Sequence, residues 1–272
     1  MRQKLISMVC IVAIPTFGAA DETGTERVTS VVSTQSNGAV LTNAISYNAQ
    51  GLPAQYDITS SGPVSMTIAT NLTYNTDNQI IRLEAKTESP FGTQTDEATY
   101  TYAPNDDGRL ISVQTIVSNG YTITKQFAYG TDGRVIGMTM EGVGPDGPIS
   151  ATHSLVYDEL GRIIRNNQTH TANGSQHTSF YDVMYDEEGT VIAHTKKQPL
   201  SAEVSGTYSY TPQTITVNET TPSSDGIAGL SVAIVSTYAP GPCVIPRITD
   251  GFVVEQIFNA PPGFVPETGC RR

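Results

Sequence analysis

The chain contains no tryptophan and only three cysteines among its 272 residues. Basic residues are also scarce: 15 Lys and Arg stand against 26 Asp and Glu, which gives a formal net charge of −11. A protein that binds nucleic acid needs clustered Lys and Arg to meet the phosphates, and an anionic membrane surface makes the same demand. The shortage of basic residues therefore argues against both kinds of partner.

The sequence has no apolar run long enough to cross a bilayer, which takes about 20 residues. The apolar stretch Leu5–Phe17 follows two basic residues and precedes the small residues Gly18–Ala20. This order is typical of a secretory signal peptide, so we predict a signal peptide over residues 1–20 and no transmembrane segment in the mature chain. Lipidation of Cys10 is the alternative, which the short apolar stretch before that cysteine disfavours. The mature chain would carry 13 basic and 26 acidic residues, a net charge of 13 − 26 = −13.

Removal of the signal peptide leaves two cysteines, Cys243 and Cys270. An even number of cysteines in an exported chain predicts a disulfide, here between these two residues. No histidine or further cysteine stands near either of them at metal-ligand spacing, so a zinc site is disfavoured.

One residue type recurs at a nearly constant interval. Seven tyrosines are separated by 27, 28, 27, 28, 28 and 25 residues, namely Tyr47, Tyr74, Tyr102, Tyr129, Tyr157, Tyr185 and Tyr210. A fixed period of about 20 to 50 residues indicates one structural unit that stacks on copies of itself. The repetition therefore predicts architecture more directly than it predicts activity.

Each period predicts two strands joined by a tight turn. Large apolar residues alternate with smaller ones before each tyrosine, and residues two apart share one face of a strand. Four residues after most of the tyrosines stands Gly or Asn, the residue types that best tolerate positive φ. The predicted turn motif pairs Tyr47 with Gly51, Tyr74 with Asn78, Tyr102 with Gly108, Tyr129 with Gly133, Tyr157 with Gly161, and Tyr185 with Gly189. The predicted fold class is all-β, with antiparallel β-hairpin repeats forming an extended, twisted or curled meander sheet.

The second turn of each period varies in length and composition, as in Gly142–Pro148 and Lys196–Gly206. One end of the predicted sheet is therefore uniform and the other diverse. After Tyr210 the motif stops and proline becomes frequent. We predict a β-hairpin repeat body over residues 21–210 and a β-rich, Pro-rich C-terminal cap over residues 211–272.

The phrase Y-D-E-L-G-R-I-I-R at residues 157–165 resembles the YD repeat of Rhs-type proteins. Imperfect copies begin at Tyr47, Tyr74, Tyr102, Tyr129 and Tyr185, and the likeness covers about residues 36–210. The resemblance implies a spiralling sheet or shell like those of toxin-delivery, wall-associated and adhesion proteins. The autocleaving aspartate motif and the toxin domain of large Rhs proteins are absent from the sequence. The resemblance therefore implies a scaffold and transfers no catalytic residue.

Candidate ligands for metals or catalysis are few. The histidines His153, His170, His177 and His194 are separated by 17, 7 and 17 residues, which matches no metal signature. His170 and His177 flank a variable turn and could approach each other across it, although solvent-exposed strand positions are the simpler interpretation. Acidic turns such as Asp132-Gly133 offer too few oxygen ligands for calcium, and Glu187-Glu188 lacks a partner carboxylate for glycosidase chemistry. We predict no metal, no cofactor and no enzymatic activity.

A transmembrane β-barrel is a further interpretation of an exported chain with many antiparallel strands. Arg82, Lys125 and Arg165 lie within predicted strands, and no aromatic girdles are evident. These features disfavour a lipid-facing surface.

The expected function is that of an exported, non-enzymatic repeat scaffold that mediates protein or surface interaction in the periplasm, at the cell surface or after secretion, most naturally in a bacterium. One alternative is a carbohydrate-binding or adhesion module, with a cell-surface glycan stacked on the tyrosines; the absence of tryptophan weakens this idea. The other alternative is an accessory component of an Rhs-like toxin-delivery system.

Overall fold

The computed structural model describes residues 23–62, 65–103, 108–118, 120–144, 147–172, 174–197, 203–211, 213–222, 231–244 and 270–271. Every regular element in these ranges is a β-strand. Over the same ranges, no helix is long and apolar enough to cross a membrane. The signal peptide predicted at residues 1–20 and the side chains of Cys243 and Cys270 lie outside the described part, so the signal peptide and the disulfide stay predictions.

The described residues form seventeen strands, all joined in one sheet. They are β1 (Thr23–Gln35), β2 (Val40–Tyr47), β3 (Pro53–Ser61), β4 (Met66–Tyr74), β5 (Ile80–Ser89), β6 (Gly92–Tyr102), β7 (Leu110–Val117), β8 (Tyr121–Tyr129), β9 (Val135–Gly144), β10 (Gly147–Tyr157), β11 (Ile163–Ala172), β12 (Ser175–Tyr185), β13 (Val191–Lys197), β14 (Val204–Tyr210), β15 (Thr214–Thr220), β16 (Ser231–Val244) and β17 (Cys270–Arg271).

The sheet closes on itself. Consecutive strands from β1 to β16 pair antiparallel, and β1 pairs with β2 on one side and with β16 on the other. The result is a 16-strand barrel, with the two-residue β17 added beside β1. The predicted all-β antiparallel hairpin meander is confirmed, but its predicted extended, twisted or curled form is wrong. The reason is that β1 pairs with the last long strand as well as with the first hairpin, which leaves the barrel without the long unpaired edges of an open sheet.

Residues after Tyr210 take part in the same sheet. Strand β15 pairs with β14, and β16 pairs with both β15 and β1. The segment that follows the last tyrosine motif therefore supplies the two strands that complete the barrel.

Alternation along the strands gives the sheet two different faces. The tyrosine face carries the recurring tyrosines together with nearly all of the buried apolar side chains, which form laterally continuous clusters along neighbouring strands. The opposite face, here called the exposed face, carries mainly Thr, Ser and charged side chains at exposed positions. The buried members of the largest cluster are Ile80, Ala98, Tyr100, Leu110, Val113, Val135, Met138, Leu155 and Ile163.

The turns after the tyrosines share one construction. At the fourth position, or at the sixth after Tyr102, φ is positive in each of the six motif turns, between 63° and 88°, and Asn78 is the one residue there that is not glycine. In most of these turns an Asn or Asp directly after the tyrosine accepts hydrogen bonds from the turn backbone, as Asp158 does from the amides of Leu160 and Arg162. Each of the six hairpins also contains a register shift at its tyrosine. Such a bulge disrupts the local ladder of backbone hydrogen bonds.

The tyrosine hydroxyls bridge successive hairpins. Each one donates a hydrogen bond to a backbone carbonyl of the preceding unit, at 2.5 to 3.0 Å. The donor and acceptor pairs are Tyr47 and Val28, Tyr74 and Pro53, Tyr102 and Ile80, Tyr129 and Leu110, Tyr157 and Val135, Tyr185 and Ile163, and Tyr210 and Val191. From Tyr74 onward the acceptor is the residue that pairs with the preceding tyrosine at the bulge. The regular spacing of the tyrosines therefore reflects a repeated hydrogen bond. At each bulge, where the backbone ladder is disrupted, a tyrosine hydroxyl satisfies a carbonyl.

Removal of one of these tyrosine hydroxyls tests this interpretation. We expect Tyr129→Phe to lower the free energy of unfolding by about 1 kcal/mol, since the ring stays in place and the bond to the Leu110 carbonyl is lost. Urea unfolding would measure the change. Tyr129→Leu should cost more because the ring packs against the main apolar cluster. A Tyr129→Phe protein as stable as the original chain would show that the hydroxyl ladder contributes nothing.

Candidate functional site

The two ends of the barrel differ in how far their side chains are engaged in contacts within the barrel. At the uniform end, tyrosine hydroxyls and Asx side chains bond to the backbone, and guanidinium groups lie over the tyrosine rings. The stacked pairs are Arg109 with Tyr129, Arg134 with Tyr157, and Arg162 with Tyr185. The opposite end carries the variable turns. Large apolar side chains are exposed near it, including Phe91, Ile116 and Val143.

A groove of about 780 Å³ lies beside the variable turns, across β8 to β11. The strand registers place its exposed-face side chains in two rows. In the outer row Thr122 lies opposite Val143, and Val143 lies opposite Pro148. Ile116 continues this row, because it pairs with Thr122 from the other side. The outer row is therefore mostly apolar, and Val143 is 65 % exposed.

The inner row of the groove is polar. Thr124 lies opposite Glu141, Glu141 lies opposite Ser150, and Ser150 lies opposite Thr171. Within the described residues, none of these four side chains has a hydrogen bond or an ion pair with another protein group. Three hydroxyls and one carboxylate are therefore free to bind a ligand.

A second cluster of ionisable groups lies on the tyrosine face, across β12 to β15. Nδ1 of His194 lies 3.0 Å from the hydroxyl of Tyr208, and Nε2 lies 3.0 Å from Oε1 of Glu219. Lys196 holds both oxygens of the same carboxylate at 3.1 Å. Tyr181 stacks on the His194 imidazole at 5.1 Å between ring centroids. His194 is 1 % exposed and Glu219 is 8 % exposed, so the cluster is buried.

A glycine makes room for this buried cluster. Gly206 stands opposite His194 on one side and opposite Glu219 on the other. A Cβ at this position would overlap the His194 imidazole, so the ring reaches across β14 toward Glu219 through space that only glycine leaves open.

The electrostatics of the cluster favour a charged Glu219. Burial alone would raise the pKa of Glu219, but the contact with His194 and the charge of Lys196 outweigh burial and hold the pKa below its usual value. Burial raises the pKa of Tyr208 well above its usual value, so that hydroxyl keeps its proton. The cluster is therefore suited to joining four strands, whereas its depth leaves little room for a substrate at the imidazole.

The structure places the four histidines at different depths on the tyrosine face. His170 lies directly opposite His177, and its ring meets that of His153 edge-on, with 5.8 Å between centroids. The expected approach of His170 and His177 across their turn is therefore real. Among the described residues, however, no group of three or more His, Cys, Asp or Glu side chains could hold a metal ion.

Sequence reasoning missed the residues of both sites. The groove depends on which exposed-face residues lie opposite one another across β8 to β11, and that register is not visible in the repeat motif. The buried cluster depends on His194 meeting Glu219 two strands away. The available signal for the cluster was weak: a glycine in β14, between a strand with His194 and a strand with Glu219.

Comparisons with known proteins identify no family for this chain. No model of a protein family matches the sequence, and no curated protein matches it. Solved structures that resemble the fold include a porin-like protein from Bacteroides uniformis ATCC 8492, which is 11 % identical with a TM-score of 0.46. That alignment covers 79 % of this chain and 98 % of the other.

The resemblance to the YD repeat of Rhs-type proteins is wrong as a family assignment. No family model matches the sequence, and the hairpins close into a 16-strand barrel rather than the spiralling sheet or shell that the resemblance implies. The phrase recurs within this chain because successive hairpins share a bulged turn and a backbone carbonyl that accepts a hydrogen bond from a tyrosine. An Rhs-like toxin-delivery role loses its basis with the resemblance.

Proposed function

We propose that this chain is an exported, non-enzymatic β-barrel that binds a partner with the groove and turns at its variable end. The observation that carries the proposal is the groove between the row of Thr122, Val143 and Pro148 and the row of unengaged hydroxyls beside Glu141. The uniform end supports it by contrast, because its recurring side chains are already bonded within the barrel. We therefore assign binding to the variable end, where the repeat motif does not fix the residues of the turns.

A non-enzymatic role is supported by the chemistry of the two sites. Glu141 in the groove has hydroxyl and apolar neighbours, with no histidine or second carboxylate among the lining residues that the structure describes. The cluster that does combine a histidine with a carboxylate is buried, with His194 hydrogen-bonded to Tyr208 and Glu219 to Lys196. An acid–base reaction needs such groups within hydrogen-bond reach of a substrate.

Contact of the exposed face with water is supported by its ion pairs. Arg82 pairs with Glu97 across β5 and β6, and Arg165 pairs with Asp182 across β11 and β12. The tyrosine face carries Lys196 and Glu219, so both faces hold charged groups. A lipid-facing barrel surface needs an apolar band, and charges at its middle cost about 2 to 4 kcal/mol each. A barrel of this kind is compatible with an exported protein, and we place its action in the periplasm, at the cell surface or in the medium.

Binding to cell envelopes tests the proposal. The purified mature chain, fluorescently labelled, should bind saturably to envelopes from the organism that produces it. Val143→Arg should weaken this binding by about tenfold or more, because it places a long charged side chain in the apolar row of the groove. The dissociation constant from a binding isotherm is the measurement.

A variant on the same strand provides the control. Ile136 lies in β9 near the uniform end and is 45 % exposed, so Ile136→Arg adds the same charge away from the groove. We expect this variant to bind as the original chain does. Equal loss of binding in both variants, or no loss in either, would place the binding surface elsewhere. Hydrolysis of an envelope component by the purified chain would overturn the non-enzymatic assignment.

A further inference from the structure

The two rows of the groove differ in what they can bind. The outer row presents the apolar side chains of Val143 and Pro148, and Ile116 extends it. The inner row presents the hydroxyls of Thr124, Ser150 and Thr171 around the carboxylate of Glu141. A ligand that fills both rows must have an apolar surface on one side and hydrogen-bonding groups on the other. Hydroxyls can donate and accept, whereas a carboxylate only accepts.

An extended peptide is a poor match for this groove. Peptides that bind to sheets commonly add a strand to an unpaired edge, where main-chain hydrogen bonds supply much of the affinity. The groove lies in the middle of a closed sheet, and each of β8, β9, β10 and β11 already pairs on both sides. Its strands offer no such ladder to a peptide. The ligand must be held by side chains.

The charge and polarity of the groove exclude further classes of ligand. No Lys or Arg is among the groove residues that the structure describes, and the whole chain has a formal net charge of −11. An acidic ligand would meet Glu141 with no compensating cation, and its charge would be repelled by the rest of the chain. A purely apolar ligand such as an acyl chain would leave the inner hydroxyls and the carboxylate without partners, which is costly for buried polar groups.

We propose that the groove binds an oligosaccharide without acidic groups, whose C–H surface covers Val143 and Pro148 and whose hydroxyls bond to Glu141 and the neighbouring Thr and Ser side chains. The inference rests on the proposed function, because it names the partner of the same groove. It moves the glycan from the tyrosine rings to the opposite face. The tyrosines are half-buried and their hydroxyls are bonded to the backbone, so they make a poor sugar platform.

An array of neutral, acidic and amino-substituted glycans, probed with the purified mature chain, tests the proposal. Neutral and amino-substituted glycans should bind better than acidic ones, because Glu141 and the net negative charge of the chain repel acidic groups. Calorimetry with the best-binding oligosaccharide should then compare variants. Glu141→Ala removes the carboxylate and should weaken binding by about tenfold, a usual effect for an anchoring polar group. Glu187→Ala removes an exposed acid from a uniform turn and serves as the matched control, with unchanged binding expected.

The outcomes separate this inference from the proposed function. Preference for acidic glycans, or equal binding by the Glu141→Ala and original chains, would overturn the oligosaccharide proposal. If no glycan binds but envelope binding still depends on Val143, the groove binds another partner and only the oligosaccharide proposal fails. If envelope binding is also independent of Val143, both proposals fail.

Discussion

Replacement of Gly206 by alanine is expected to destabilise the barrel by about 3 kcal/mol, near the upper end of the usual cost of overpacking a core. The added methyl group would overlap the imidazole of His194, whose ring has little freedom to move. Tyr181 stacks on that ring, Tyr208 contacts one ring nitrogen, and Glu219 contacts the other. Urea unfolding should show a lower midpoint with an unchanged slope, as expected for a change in stability alone.

A double-variant cycle shows whether the imidazole causes the loss. His194→Ala removes the obstructing ring, so Gly206→Ala should cost much less stability in that background. The double variant should therefore lose less stability than the sum of the two single losses. Thr207→Ala, at the exposed neighbouring position in β14, should change stability little. If Gly206→Ala costs the same with and without the His194 ring, the glycine is required for another reason.

The sequence revealed the hairpins because their determinants are local. Alternation of apolar and polar residues, together with Gly or Asn four residues after the tyrosine, is enough to predict strands and turns with positive φ. The partner of each tyrosine hydroxyl was not predictable in the same way. The Leu110 carbonyl that Tyr129 bonds lies in the preceding hairpin, and its need for a donor arises from a bulge that composition does not mark.

Closure of the barrel could not be predicted from the sequence, for a related reason. Strand β1 carries none of the tyrosine motif, and β16 follows the last copy of it. Their pairing joins Val31 to Ser236 and Val32 to Val235 across nearly the whole chain. No repeat pattern specifies such a contact.

Neither the groove nor the buried cluster can be predicted from local sequence patterns. Glu141 is one of many acidic residues in the sequence and becomes notable only because Thr124 and Ser150 flank it across two strands. His194 and Glu219 are 25 residues apart and meet because Gly206 stands between them. Both clusters of side chains therefore depend on cross-strand register, which the repeat motif does not show.

Acidification is expected to destabilise the barrel well before its carboxylates are protonated. Burial lowers the pKa of His153 to about 4, and the nearby His170 and Lys125 act in the same direction, although a hydrogen bond with Asn166 opposes them. The unfolded chain takes up this proton near pH 6.5, whereas the folded barrel does not until about pH 4. The stabilisation is therefore fully present above pH 6.5 and is lost as the pH falls through 4. A difference of about 2.5 pKa units corresponds to roughly 3 kcal/mol.

Unfolding free energies at pH 7.5, 6.5, 5.5 and 4.5 would measure this loss. His153→Gln should flatten the dependence between pH 6.5 and 4, whatever its effect on stability at pH 7.5, because the substituted side chain does not titrate. Part of the slope should remain, since burial and His177 also lower the pKa of His170. Glu219→Gln should leave this window unchanged, because the lowered pKa of Glu219 affects stability only below its unfolded value of about 4.3. An identical slope in the original and His153→Gln chains, or an NMR titration of His153 near pH 6.5, would show that this histidine is not held neutral by the fold.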